Sequence, residues 1–494
     1  MPASPLRTLT GVAFLFSALA LGGCLVGPNY RRPAAPTPTA FKEGKGWAPA
    51  NPSDAADKKD WWTVFGDPVL DNLEERVEVS NQNLIAAEAA YRDARALVAE
   101  QRAALFPTLS LTGAASASGA NQSVFTTLPT TTGSTSASTA AVKPTTTITS
   151  SYSVGVGATW APDIWGAVRR AIENARENAQ ADAADLANAR LSAQMELATD
   201  YIQLREFDEQ KRLLDLTVTG YKRSLQITEN KYRAGNAARS DVLTAQALLD
   251  STEAQAVALI SQRAVDEHAI AVLAGSPPAE LTLAPAPWNL KLPLLPTAVP
   301  SALLERRPDI SASERLVAAA NAEIGVNVAA YYPTLDLTGD AGLAASNLGR
   351  LFSASSFAWS AGASAAETIF NGGLTQAKVA AAKAAYDEAV ATYRQTVLSA
   401  FQQVEDNLAA QAVLGSEENL LQTATNAAAL NQKITLNEYQ AGEVDYTTVV
   451  TAEATALTDQ ISLLQAQGSR LTTAVDLIAA LGGGWTTADL PKKP

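Results

Sequence analysis

Four glycines set the frame of this chain. Gly166 and Gly373 each follow an apolar, strand-like segment, Gly235 and Gly442 each follow a helix-like stretch with aromatic residues near its end, and both pairs stand 207 residues apart. Within each copy the two glycines are separated by 69 residues, and neither 167–234 nor 374–441 contains a proline. An uninterrupted stretch of that kind reads as one helix, which at 1.5 Å per residue would reach on the order of 100 Å, far beyond the usual helix of a globular domain. A rod of that length is suited to spanning a gap. A second echo precedes each rod: Phe106-Pro107-Thr108-Leu109-Ser110-Leu111-Thr112-Gly113 returns as Tyr332-Pro333-Thr334-Leu335-Asp336-Leu337-Thr338-Gly339, now with an offset of 226. The chain is built twice, with a longer insertion in the first copy.

Near the beginning, Arg7 leads into an apolar run over 11–21, followed by Leu21-Gly22-Gly23-Cys24. The run is too short for a membrane-spanning helix. Small residues ahead of a cysteine fit cleavage before a lipid-modified Cys24, and an ordinary secretory signal is the alternative. A single acylated cysteine tethers a protein to a membrane without spanning it. Cys24 is the sole cysteine of the 494 residues, so no disulfide forms within the chain. Leu25, in place of an acidic residue, resembles the outer-membrane sorting pattern of bacterial lipoproteins.

Composition narrows the class. Hydrophobic residues make up 47% of the chain and aromatic residues only 6%, and the formal net charge is −13. Alanine, the best helix former, fills the rods, and the acidic balance argues against a nucleic-acid partner, which requires a basic face. After residue 24 no apolar run is long enough for a membrane helix, so any crossing must be made by strands.

Such strands come in pairs. Leu109 and Leu111 alternate with Ser110 and Thr112; Val154, Val156, Ala158 and Trp160 alternate with Ser153, Gly155, Gly157 and Thr159. In the second copy Leu335 and Leu337 alternate with Asp336 and Thr338, and Phe357, Trp359, Ala361 and Ala363 alternate with Ala358, Ser360, Gly362 and Ser364. Period two with one apolar face fits a transmembrane barrel, and equally one sheet of a soluble sandwich. Strands are expected over about 107–120, 151–164, 333–345 and 357–369, with a long Ser/Thr-rich loop over 114–150 and a shorter one over 346–355. Four strands cannot close a barrel and open edges in lipid are costly. Several chains must share one, and three would supply 12 strands.

After each rod the glycine turns the chain into a returning helix, 240–274 and 445–481, so each copy supplies a helical hairpin with Gly235 or Gly442 at its tip. The reading divides the chain into a signal peptide (1–23), a lipidated extension (24–67), a first repeat (68–275, opening with a helix), a proline-rich connector (276–307), a second repeat (308–481) and a tail (482–494). Catalytic chemistry is not indicated: His268 is the one histidine and sits in a charged helical stretch, no Cys/His set has metal-ligand spacing, and no phosphate loop carries its lysine. No catalytic residue, metal or cofactor is assigned beyond the lipid on Cys24.

The lipobox, Gly27-Pro28-Asn29-Tyr30-Arg31-Arg32-Pro33, Asp163-Ile164-Trp165-Gly166, and the paired Tyr232-Arg233-Ala234-Gly235 and Tyr439-Gln440-Ala441-Gly442 together resemble the TolC family of outer-membrane efflux proteins, in its OprM/NodT lipoprotein branch. The resemblance runs from Cys24 to about Leu481. It implies a mixed but mainly α chain that forms a homotrimer: a 12-stranded β-barrel in the outer membrane continued by a 12-helix periplasmic α-barrel, joined to a periplasmic adaptor and an inner-membrane transporter of the resistance-nodulation-division class. By position in that family, Ser240, Asp241, Tyr439, Asp445, Thr447, Thr448 and Thr451 are the gate candidates, and Arg233, Gly235, Asn236, Gly442 and Glu443 the adaptor-docking tips. This chain departs from the branch at Thr451, where relatives carry an aspartate, and at Ala454, where they carry an arginine; Asp241, Glu443, Asp445 and Glu453 are the acidic residues left for a ring. The resemblance therefore implies the exit duct of a tripartite efflux pump, with the exported substrate set by the transporter. A type I secretion duct and a non-transport periplasmic rod are the alternatives.

Overall fold

A computed structural model of the chain describes residues 25–43, 60–123, 144–293 and 306–490. The lipobox, Cys24, Pro296 and Pro300 lie outside those residues. The described chain is mainly helical: α1 (Pro68–Ser80), α2 (Gln82–Ala103), β1 (Thr108–Ser123), β2 (Pro144–Trp160), α3 (Ala167–Arg233), α4 (Arg239–Leu273), α5 (Pro308–Ala329), β3 (Thr334–Ala345), β4 (Phe357–Ala366), α6 (Leu374–Ala441) and α7 (Tyr446–Ala480). The two rods are single helices of 67 and 68 residues, and each returning helix has 35. It separates into two compact units, one holding Leu97–Ala175, Asn321–Ala384 and residues up to Asn29, the other holding Tyr30–Ala96, Arg176–Ala320 and Ala385 onward.

In the first unit the four strands form one antiparallel sheet in the order β1-β2-β3-β4. Two repeats meet at its centre, where Gly157 pairs with Asp340 and Thr159 with Thr338. The strands reach further than the 114–150 loop expectation allowed, with β1 running to Ser123 and β2 starting at Pro144. Conversely, β2 stops at Trp160 and not near 164. Pro162 lacks a ladder donor, and Asp163 turns back so that its carboxylate accepts from the amides of Val168 and Arg169 (both 3.0 Å), capping α3. The shorter loop carries two single 3-10 turns, Leu348–Arg350 and Ala354–Ser356. Register sorts the side chains onto two unlike faces. Leu109, Leu111, Val154, Val156, Leu337 and Trp359 share one, and Ser110, Thr112, Ser153, Gly157, Asp340 and Ser360 share the other. On the apolar face Leu109, Leu111 and Trp359 are each more than 70% exposed, so nothing among the described residues covers them.

The start of the described chain is strapped onto the same unit. Val26 donates to the carbonyl of Trp165 (3.1 Å), and the Arg170 guanidinium donates to the carbonyls of Val26 (3.1 Å) and Gly27 (3.3 Å) and to Asn29 Oδ1 (2.9 Å) while pairing with Glu173 (2.7 Å). Gly27 needs its glycine: φ is +89°, and a Cβ would stand 2.5 Å from the Cα of Gly325. Trp165 stacks on Tyr332 at 4.8 Å and donates from its indole to the Pro333 carbonyl (2.8 Å). Arg170 is fully buried, and removing it would leave several acceptors without a donor. Arg170→Ala is expected to cost about 3 kcal/mol and to open the 25–29 segment to limited proteolysis; an unchanged cleavage pattern and unfolding midpoint would contradict this role.

The second unit holds the main apolar core, in which Trp61, Trp62 and Phe65 of a short 3-10 turn pack with Leu70 of α1, Tyr201 of α3 and Val397 of α6. The single helix expected at the start of the first repeat is two, because Asn81 leaves the helical conformation (ψ 121°). Its carboxamide accepts from the amides of Asn83 (2.9 Å) and Leu84 (3.2 Å) and donates to the Leu273 carbonyl at the end of α4 (2.9 Å). The second repeat answers with Arg307, which donates to the Ala480 carbonyl at the end of α7 (3.1 Å). The connector lies against a charged chain on α3 and α4: Arg205 pairs with Asp208 (2.9 Å), Asp208 with Arg263 (2.6 Å) and Arg263 with Glu267 (2.9 Å). Glu267 accepts from the Leu283 amide (2.6 Å) and Arg205 donates to the Ala284 carbonyl (2.9 Å).

Candidate functional site

The two hairpin tips belong to the second unit and share one backbone design. At the first, Gly235 (φ +77°) donates to the Tyr232 carbonyl (2.9 Å) and Asn236 to that of Lys231 (2.8 Å). At the second, Gly442 (φ +85°) donates to Tyr439 (3.1 Å) and Glu443 to Glu438 (2.9 Å). This double closure is the Schellman stop, in which a left-handed residue reverses the chain and satisfies the last carbonyls, so glycine is the residue the position favours. A Cβ on either glycine would meet nothing within 4 Å, so both turns face open space. Arg233 is exposed and pairs with Glu229 at 3.0 Å, an exposed pair that adds well under about 1 kcal/mol. Asn236 and, at the second tip, Glu443 are exposed as well.

Behind the turns the tips are bolted together. Lys231 reaches the Tyr439 carbonyl and stands 3.9 Å from the centre of its ring. Tyr439 packs on Tyr446 at 5.2 Å, over Ala245 and Val449. Tyr439 is therefore buried within one chain, where it packs the two tips against each other. Deeper still, Glu453 of α7 is buried against α3, where one carboxylate oxygen accepts from Ser224 Oγ (2.8 Å) and the other has no partner among the described residues. Glu453 is thereby withdrawn from the acidic residues available for an exposed ring. Burial pushes its carboxyl up, with the Ser224 hydrogen bond offsetting part of the rise.

The remaining gate candidates lie on the surface. Asp241, in the first turn of α4, accepts from the Ala238 amide at 3.2 Å and from Ser240 Oγ at 3.4 Å, so it closes the helix start from within the first turn. Asp445 precedes α7 with its side chain free of any capping bond. Thr447, Thr448 and Thr451 are exposed, and the Thr451 hydroxyl is spent on the Thr447 carbonyl (2.9 Å).

Other buried carboxyls give the second unit a pH dependence. Glu206 is pushed up to about 7, first by burial and then by the Asp266 charge; Asp200 rises to about 6 by burial and its acidic neighbours Asp266 and Glu196, and Asp266 to about 6 by burial. Each holds its proton more tightly folded than unfolded, where release occurs near about pH 4. Their contribution to folding is therefore fully present only below about pH 4 and is lost as pH rises through the raised values. The thermal midpoint is expected to rise as pH falls from about 8 to about 5, and Glu453→Gln to raise it more at about pH 8 than at about pH 5. A midpoint that falls on acidification over that range would contradict the assignment.

Two features escaped the sequence reading. Gly275 and Gly482, also 207 residues apart, end α4 and α7 with the same Schellman bonds, so the offset carried by the tip glycines was a signal that could have found them. The Lys231–Tyr439 and Ser224–Glu453 links had no such signal, since they join different repeats.

Comparison with known proteins follows this geometry closely. A family model described as outer membrane efflux protein matches residues 73–276 and 299–483. The solvent efflux pump outer membrane protein SrpC of Pseudomonas putida is 31% identical, over 91% of this chain and 93% of its own length. OprJ of Pseudomonas aeruginosa, an outer membrane protein, is 30% identical over 92% of this chain and 91% of its own. Among solved structures the outer-membrane channel OprN superimposes with a TM-score of 0.84 at 30% identity, covering 94% of this chain and all of that one.

Proposed function

This chain is a member of the outer membrane efflux protein family, and from that premise we propose that three copies form the exit duct of a tripartite pump. Each copy supplies four strands to a shared 12-stranded barrel and four long helices to a periplasmic α-barrel, in the manner of the lipoprotein branch, with an acyl chain on Cys24 as its tether. The observation that carries this reading is the two-faced sheet with an apolar side exposed and, among the described residues, both edges unpaired. Such a sheet is stable in lipid only when closed on itself.

The chain's own part in transport is passive. A polar-walled duct needs no catalytic group, and the energy enters through an inner-membrane transporter of the resistance-nodulation-division class. An adaptor meets the duct at the tips, where Arg233, Gly235, Asn236, Gly442 and Glu443 face open space. The carboxylates of half-buried Asp241 and of exposed Glu443 and Asp445, brought together around a threefold axis, repel one another when ionised and take the place of the aspartate that Thr451 lacks. Purified protein in mild detergent tests the assembly: the reading expects a mass of three chains, and a stable monomer would overturn it.

A further inference from the structure

The duplicated rods present two equivalent surfaces in the second unit, and the chain covers one of them. On α6 the segment over 30–43 is laid along the rod. Arg32 donates to Tyr393 Oη (3.2 Å), Arg394 donates to the Ala34 carbonyl (3.2 Å), Phe41 packs on Phe401 with ring centres 6.4 Å apart, and Glu405 accepts from the amides of Lys42 (2.7 Å) and Glu43 (2.9 Å). Val397, one turn from both Tyr393 and Phe401, is fully buried. The 207-residue offset between the rods carries Tyr393, Val397 and Phe401 onto Leu186, Arg190 and Gln194 of α3. There the three residues line a cavity of about 220 Å³, bounded also by Glu78 of α1 and by Trp485 and Asp489 of the segment after α7. Arg190 pairs with Glu78 at 3.5 Å, and both side chains stay close to half exposed. Gln194 is only 3% exposed, yet its carboxamide makes no hydrogen bond to another described residue. The wall made by the segment after α7 is fixed in advance: a Cβ on Gly483 would run into the Leu191 side chain, and Asp489 accepts from the Thr486 amide (3.0 Å) and hydroxyl (3.2 Å).

We propose that this cavity holds a proline-containing, extended segment of a partner polypeptide, in the way that α6 holds the chain's own residues 30–43. The inference goes beyond transport and does not depend on the shared barrel. A carboxamide offers an acceptor and two donors, the set that pairs with the N–H and C=O of a peptide group, and a buried carboxamide left unpaired is destabilising. The site therefore favours a ligand that brings backbone to Gln194. The Trp485 indole and the Leu186 side chain supply apolar surface for proline rings, whose fixed φ keeps such a segment extended before it binds. The covered surface shows the same preference, since the segment on α6 carries Pro33, Pro36 and Pro38. A wall already fixed in place lowers the ordering cost of binding.

The test uses the full-length protein in mild detergent and a dye-labelled peptide with the sequence of residues 30–43, followed by fluorescence anisotropy. Saturable binding is expected, weakened on the order of tenfold by Gln194→Ala and by Trp485→Ala, and weakened likewise when the three prolines of the peptide are replaced by alanine. Trp485→Ala removes a half-buried side chain outside α7, so it stands even if Gln194→Ala assembles poorly. Absence of saturable binding overturns the inference. Binding that both variants leave unchanged overturns it too, because the peptide would then have exchanged with the chain's own segment on α6.

Discussion

Gly482→Ala is expected to abolish accumulation of the folded protein. Gly482 ends α7 at φ +103°, and an added Cβ would stand 2.1 Å from the Arg306 carbonyl oxygen and 2.7 Å from its carbon. The obstruction is backbone, which cannot swing aside as the end of a side chain can. Gly275 repeats the arrangement at φ +71°, with the Ser80 carbonyl oxygen at 2.2 Å, so each repeat is closed by a helix end pressed onto the segment that begins it. Left-handed strain costs about 1–2 kcal/mol and overpacking of a filled site about 1–3 kcal/mol. Together these come to about 2–5 kcal/mol, enough to unfold a domain at the marginal end of the usual range. Gly220→Ala is the control, because that glycine lies inside α3 with nothing within 4 Å of a built Cβ; it should be neutral or stabilising by up to about 1 kcal/mol. Wild-type yield and thermal midpoint for Gly482→Ala would refute the closure.

Gly235→Trp should abolish export in cells while leaving the purified assembly intact. The turn faces open space, so an indole there projects outward and meets no part of its own chain, and its target is whatever docks on the tip. Strain enters through φ +77° alone, and Gly235→Ala carries the same strain without the bulk. The pair therefore separates the two effects. Loss of solute resistance with tryptophan, retention with alanine and an unchanged assembled mass for both would place a partner at the tip. Retained resistance with tryptophan would remove the tip from the docking surface.

Much of this was legible because the duplication is written in glycines and in periodicity. The tip glycines and the proline-free rods located the long helices, and alternation in Leu109 to Thr112 and Val154 to Trp160 separated a polar from an apolar face. Strand ends were harder to read. Asp163 looks like part of a strand until its carboxylate is seen capping α3, and the Ser/Thr-rich tract after Ala114 has loop composition although its first residues pair in register with β2. The gate candidates fared according to their surroundings. Tyr439 and Glu453 carry polar groups that suit a surface ring, yet their burial depends on α3 of the other repeat, and no local pattern encodes that contact. Asp445 and the threonines are exposed and Asp241 half-buried, at the starts of α7 and α4.

The duct reading is tested most directly by single-channel recording of the purified, acylated protein in planar bilayers, comparing the wild type with Asp241→Ala. The account predicts rare, small openings for the wild type and larger, longer ones when the Asp241 carboxylate near the tip is removed. A protein that inserts as a trimer yet conducts identically in both forms would take Asp241 out of the gate, and one that gives no conductance in either form would contradict the duct.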